Sequence, residues 1–360
     1  MSVLFKSPSS SGGSIGGSSK GFPPGDVINI LCRSGNEKIQ IKWQEPNDTI
    51  IDGITIAKWK GTILVRNNDH YPTSIKDGDI VIDNNIKNKY KDNYFEDTNL
   101  TNDHVYYYRF FTYSDEKVYN DSGNLIFKNK PVSFDPILKN NSWEQIVNVV
   151  ESNSIPDTWN IGDEIDLKLN GYYFNETVTL QIWDFNHFDK SDGTGKAGIC
   201  FGMKNLMKNK QMMNNTSNNK GGWNESRMKN EVLINVFNCI PLELSSYIKE
   251  INTYANREGG TYSEQGLLSK DKVFLPGYTE CCSEWSHQTQ TETGQKKFPV
   301  FTDEYSRIKK MNNGSGITEW WWTRSPRCNY SDSFCCISNY GRSSGTGASI
   351  NGGVCFCFNI

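Results

Sequence analysis

Oxygen and nitrogen donors crowd into "DFNHFDKSDGTGKAG", residues 184–198, in which Asp184, His187, Asp189 and Asp192 offer one imidazole and three carboxylates. Such a set is what a hard cation or a general acid–base pair requires. The spacing is against a calcium loop, because Lys190 falls where the second ligand of the twelve-residue pattern should stand. A Gly/Asp turn explains "SDGTG" without a metal. Asp184, Asp189 and Asp192 therefore remain a weak Ca2+ candidate, and no cofactor is expected. Nucleophilic chemistry finds less support. The histidines are His70, His104, His187 and His287, and no GxSxG motif surrounds a serine. Nothing ties His187 or His287 to a particular cysteine. Of the ten cysteines, Cys32 stands alone in the first half, while Cys281-Cys282 and Cys335-Cys336 are adjacent pairs unsuited to closing on themselves. No CxxC pair suggests structural zinc. Reduced thiols, buried or at a diversified surface, fit better. The chain reads as a non-enzyme.

Its last stretch has a different vocabulary. After Glu319 there is no Lys, Glu, Gln, Met, Leu or His, yet five of the ten cysteines lie there. "GVCFCFNI" alternates, with Val354, Phe356, Phe358 and Ile360 on one face and Cys355, Cys357 and Asn359 on the other. The aromatic face is expected in the core, and the Cys/Asn face outward or against a neighbouring strand. "WWWT" sets Trp321 against Trp320 and Trp322, and core packing is the expectation for these rings. Arg324, Ser325 and Pro326 are expected to stop the strand and release a loop. Arg, Asn, Tyr, Ser and Gly are residues that binding loops favour, Tyr as a rigid amphipathic contact and the others as adaptable polar ones. Arg327, Asn329, Tyr330, Asp332, Tyr340 and Arg342 are the candidate contact side chains.

These residues need elements to hold them. At 360 residues the chain has room for two or three domains. A net charge of -3 with interspersed Lys and Glu offers no basic stripe, so nucleic acid is not expected as a partner. No apolar run approaches the roughly 7–15 residues of a secretory h-region or the roughly 20 of a spanning helix. Synthesis in a cytoplasm without a signal peptide, and no membrane insertion, are the expectations. Residues 1–25 are Gly/Ser-rich and end in a double proline, and read as a flexible anchoring arm. Residues 26–128 carry short alternating strands such as "KIQIKWQ" and "HVYYYRFFTY" separated by turn residues, the pattern of an all-β sandwich. Residues 129–141 read as a polar, proline-punctuated linker. Residues 142–360 open with a helix capped by Ser142 and Gln145. They continue with a hairpin over "DEIDLKLNGYYFNETVTLQIWDF" and two amphipathic helices at about 223–238 and 242–254, then short strands. The fold class is thus a multidomain chain with an all-β sandwich followed by an α+β domain.

Leu100 and Tyr106, leading into the aromatic strand, resemble the leucine–tyrosine corner of fibronectin type III modules, with Trp43 as the core tryptophan facing it. "WKGTILVRNNDHYPTSIKDGDIVID" resembles the version of that module in tail proteins of phages of low-GC Gram-positive bacteria. "SWEQI", "DFNHFDKSDGTGKAGICF", "GGWNESRMKNEV", "WWWTRSP" and the closing "NGGV" with its alternating Phe resemble a C-terminal domain of unknown function in phage-tail and prophage proteins of the same bacteria. That domain is similar to the C-type-lectin-like, formylglycine-generating-enzyme-like fold. The resemblance implies a receptor-binding protein of a phage tail, a tail fibre or baseplate, or a phage-tail-like bacteriocin, carried on the virion or bacteriocin particle and mediating host cell adhesion. Its scaffold would be Trp321, Trp322, Gly353, Val354, Phe356 and Phe358. The displayed positions would lie between Arg327 and Asn351, Asn339 among them, together with Cys355 and Cys357. Partners would be a bacterial surface glycan or surface-layer protein, and other tail proteins through the arm, and fibres of this kind imply a homotrimer. Two alternatives stand beside this reading: a structural baseplate or fibre component, and an oxidase or cell-wall-modifying enzyme on the same fold. Cys328 with Cys335 or Cys336 departs from the cysteine pair the oxidases need.

Overall fold

The computed structural model describes residues 21–121, 125–256, 266–282 and 295–360. Most of the anchoring arm expected over 1–25, and His287, lie outside the described residues. The chain is mostly β-structure in several small sheets, and it divides into two compact units. One holds residues up to Phe134 with Glu151–Pro156, the other Asp135–Val150 with Asp157–Ile360.

The first unit contains β1 (Ile28–Gly35), β2 (Lys38–Gln44), β3 (Thr49–Ile51), β4 (Ile54–Ala57), β5 (Trp59–Asn67), β6 (Asp79–Asn84), β7 (Phe95–Thr98), β8 (Tyr106–Ser114) and β9 (Ile126–Asn129). They form a three-stranded sheet β1-β2-β7, a four-stranded sheet β6-β5-β8-β9 and the hairpin β3-β4. The alternation in β2 turns Ile39, Ile41 and Trp43 inward, where they share one core with Leu64, Tyr108 and Phe110 of the larger sheet. A strand with one apolar face must bury that face against another layer. Trp43 packs on Tyr90 and Phe110, and its indole N–H donates to the buried Glu45 at 2.8 Å. The Tyr106 hydroxyl accepts the Thr101 backbone N–H at 2.9 Å while Leu100 is buried beside it, tying the loop back as the spacing predicts.

The segment 129–141 is not a solvent-borne connector. Asn129 ends β9, and Val132 is buried with its N–H on the Gly35 carbonyl. Leu138 is buried in a single 3-10 turn, closed by the Asn141 amide, which donates to the carbonyls of Asp135, Ile137 and Leu138. Its scattered apolar residues are enough to fold each half into its own unit, so the boundary falls at Phe134/Asp135.

In the second unit, α1 (Trp143–Glu151) begins with the expected capping box. Ser142 Oγ accepts the Gln145 N–H, and Gln145 Oε1 accepts the Ser142 N–H. The strands are β10 (Glu164–Asn170), β11 (Asn175–Phe185), β12 (Ile199–Met203), β13 (Ile251–Ala255), β14 (Leu267–Asp271), β15 (Val273–Phe274), β16 (Lys309–Lys310), β17 (Thr318–Glu319), β18 (Trp321–Pro326), β19 (Ser333–Ile337), β20 (Ser343–Gly347) and β21 (Cys357–Asn359). The spine is an antiparallel sheet in the order β10-β11-β12-β21-β15, with the predicted β10–β11 hairpin closing through residues 171–174. A three-stranded sheet, β18-β19-β20, and two hairpins complete it.

The helices are shorter than the sequence pattern suggests. The one expected over 223–238 is a π-helical stretch, Met228–Leu233, running into a single α-turn, Ile234–Phe237. The one expected over 242–254 is a single turn, Leu242–Ser245, followed by an irregular stretch and then β13 from Ile251. There Ile251, Thr253 and Ala255 alternate inward, and pairing with β14 satisfies the backbone that a helix would have satisfied locally.

Candidate binding surface

The C-terminal strand is interior on both faces. It lies between β12 and β15, with Phe358 opposite Phe201 and Cys357 opposite Gly202. Trp143 of α1 packs on Phe201 and Phe358 on one side. Cys355 and Cys357 are fully buried, so their expected display is corrected. A central strand covered on both faces has no outward side for the alternation to find.

The start of β18 lies in a closely packed aromatic layer. Trp321 and Trp322 are fully buried, and their indole N–H groups donate to the carbonyls of Arg307 and Gln211. Gly352 is required by close approach, since a Cβ there would lie 2.4 Å from Trp320 and 2.7 Å from Trp322 Nε1. Lys309 is buried among Trp183, Phe301 and Trp321, its ammonium 5.1–5.6 Å from their ring centroids and bonded to the Met203 and Lys204 carbonyls.

Arg324 does not stop its strand. β18 continues to Pro326 through a bulge, Trp322 facing Cys336 and Pro326 facing Phe334, so four steps on one strand match two on the other. The bulge points the fully buried Arg324 inward to a bidentate pair with Glu280, itself fully buried, at 2.8 and 2.5 Å. The same guanidinium donates to the carbonyls of Tyr254 and Leu275 and to Gln295, and Glu280 also accepts the Gly277 N–H. Sequence reading missed this lock. The available signal was a charged residue two positions after a run of tryptophans.

The expected contact residues separate into two groups. Strand β19, Ser333–Ile337, is buried throughout, so the middle of the stretch between Arg327 and Asn351 is not displayed. The exposed residues lie at its two ends, separated by about 13 Å of strand. At one end the loop 327–332 carries Arg327 and the exposed Asn329, Tyr330 and Asp332. The Arg327 guanidinium lies over the Tyr330 ring, 3.8 Å from its centroid. The loop backbone is pinned from below by Asn219, a buried residue whose amide donates to the Tyr330 and Ser333 carbonyls at 2.6 and 2.9 Å. Asn351, also exposed, follows the turn that leaves β20 at this end, where Ala348 N–H bonds the Asp332 carbonyl. At the other end the β19–β20 turn carries the half-buried Asn339, the exposed Tyr340 and Arg342. Arg342 pairs with Glu304 at 2.9 Å, and Gly341, at φ +77°, fits because a Cβ there would strike the Glu304 carbonyl.

The donor-rich run 184–198 does not converge on one point. Asp184 pairs with the buried His187 at 2.7 Å and with Lys296, while His187 stacks on Phe298. Burial would raise the Asp184 carboxyl, but the hydrogen bonds from His187 and Lys296 outweigh it and leave its pKa below the usual range. Asp189 pairs with Lys196, and Asp192 accepts from the Thr194 N–H and hydroxyl as a turn cap. Among the described residues no group of three or more His, Cys, Asp or Glu is placed to hold a metal ion. The thiols of Cys200, Cys281, Cys355 and Cys357 are all pushed up by burial, and that of Cys336 to about 12, so they are protonated at neutral pH.

Residues 198–360, which include both sheets' C-terminal strands and the exposed loop, match the model of a family described as a domain of unknown function, DUF6273. No curated protein matches the chain.

Proposed function

We propose that this chain is a receptor-binding protein of a phage tail or phage-tail-like bacteriocin that recognises the bacterial cell surface without covalent chemistry. In this reading the first unit is a fibronectin type III-like spacer and the second a C-type-lectin-like head. The arm would join the head and spacer to the baseplate, with a trimer as the assembled form. The spacer assignment is supported by the three- and four-stranded sheets around Trp43 and by the Tyr106 hydroxyl closing its loop on Thr101.

One observation carries the adhesin reading. The Tyr330 ring is exposed with the Arg327 guanidinium over it, yet the loop that carries both is pinned by buried Asn219 and joins two buried strands, β18 and β19. Aromatic and Arg anchors on a preorganised support are what recognition surfaces use, because little entropy is lost when they engage. Weak individual heads would suffice, since several copies on one particle multiply avidity.

A second reading, a structural tail component, draws on the β3–β4 hairpin, where Ile50, Ile51 and Ile54 are all more than half exposed. Deleting residues 135–360 separates the two. Particles that assemble but fail to adsorb support the adhesin, and particles that fail to assemble support the structural component.

A further inference from the structure

Resting on the receptor-binding reading, we propose that the head binds a neutral carbohydrate in an open groove of about 540 Å3 lined by residues of 214–220 and 225–231. Every lining residue is polar. A ligand that fills such a groove must present hydrogen-bonding groups over most of its surface, since apolar surface placed against these groups would leave them unpaired. The charges cancel, Lys220 and Arg227 against Glu225 and Glu231, and Arg227 is already paired with Glu231 at 2.9 Å. No net field therefore selects an anion or a cation.

The groove also has a fixed floor and an unengaged rim. Asn214 donates to the Asn218 carbonyl at 2.8 Å and accepts the Arg227 N–H at 3.0 Å, while Asn230 is tied to the Asn224 and Ser226 carbonyls. The side chains of Asn215, Lys220 and Glu225 have no hydrogen bond or ion pair among the described residues, and all three are exposed. These supply an amide, a cationic donor and a carboxylate acceptor, the mixture that a polyol with both donors and acceptors can satisfy.

Tyr330 does not line the groove but sits on a loop tied to it: Asn219, between lining residues Asn218 and Lys220 in sequence, donates to the Tyr330 backbone carbonyl at 2.6 Å, and Tyr330 is 46% exposed. Its phenol has an apolar face and a polar tip for a saccharide that extends past the groove. A protein partner would instead want apolar anchors at the centre of its footprint, and the groove has none. The volume lies within the roughly 300–1,000 Å3 of small-molecule sites, room for a short oligosaccharide.

The test uses the full chain, immobilised and probed with N-acetylglucosamine tetramer and with neutral rhamnose- and galactose-containing polysaccharides from Gram-positive walls. Polyglycerol phosphate and heparan sulfate are the charged controls. At least one neutral saccharide should bind and both charged polymers should not. Combined Asn215→Ala, Lys220→Ala and Glu225→Ala should weaken binding about tenfold or more without changing Tm, and Tyr330→Phe should keep what Tyr330→Ala loses. The assignment fails if no neutral saccharide binds or if the triple variant binds like the parent. A second arm uses cells to which the parent particle adsorbs. Adsorption of the chain that periodate abolishes and protease spares supports the carbohydrate. Adsorption that protease abolishes and periodate spares overturns the carbohydrate but leaves the receptor-binding reading intact. A chain that does not adsorb to those cells removes the receptor-binding reading itself.

Discussion

Residues 353–360 and 327–332 both lie in the stretch after Glu319 and share only Cys and Asn, and the first is buried while most of the second is exposed. The strand is hydrogen-bonded along both edges and covered on both faces, so even Cys355, Cys357 and Asn359 are buried. The loop backbone is held by Asn219 and the start of β19, Cys328 is buried, and Asn329, Tyr330 and Asp332 are exposed. Asn329 is exposed and Asn359 fully buried, so for the residue type they share, position relative to a paired strand decides display.

The sharpest way to break that contrast is to unlock the buried strand that leads into the loop. Arg324→Ala leaves Glu280 buried without its cation, and removing one partner of such a pair costs about 3–5 kcal/mol. Urea unfolding should show that loss, and a change below about 1 kcal/mol would mean the strand is not locked. In the strand, Cys357→Ser puts a hydroxyl into a fully buried site and should cost about 1–3 kcal/mol by the same assay. Acid gives a smaller and graded effect. Asp184 has a lower pKa folded than unfolded, so its pairing stabilises above the ordinary value of about 3.9 and is lost as pH falls through the folded value. Asp184→Asn should flatten the decline in urea midpoint below about pH 4, and an unchanged acid limb would show that another group governs it. Least of all, Tyr330→Ala should shift stability by no more than about 0.5 kcal/mol, because the residue is 46% exposed and its ring lies against Arg327. A larger loss would place Tyr330 in the core and erase the contrast.

How much of this was readable in advance follows from where each residue finds its partners. Ile39, Ile41 and Trp43 declare their face by alternation, Ser142 and Gln145 their cap by a spacing of three, and Leu100 and Tyr106 their corner by proximity. All of these are local. Arg324 and Glu280 are 44 residues apart, and Asn219 reaches a loop 111 residues away, so no window of sequence contains both ends. The same limit explains β13, which looks helical until its strand partner is seen. It also explains the burial of Cys355 and Cys357. Alternation predicted two faces correctly and could not say that both would be covered. Of the candidate contact residues, Cys355 and Cys357 are buried, and buried β19 divides the others into two patches.

That division gives the most direct test of the central claim, that the Arg327–Tyr330 end of the β19–β20 hairpin reads the receptor. Adsorption of the full chain to its target cells should be measured for Arg327→Ala with Tyr330→Ala, and separately for Tyr340→Ala with Arg342→Ala. The first pair should lose about tenfold or more in affinity at unchanged Tm, and the second should stay within about twofold of the parent. Loss confined to the second pair, or equal loss from both, would contradict the assignment.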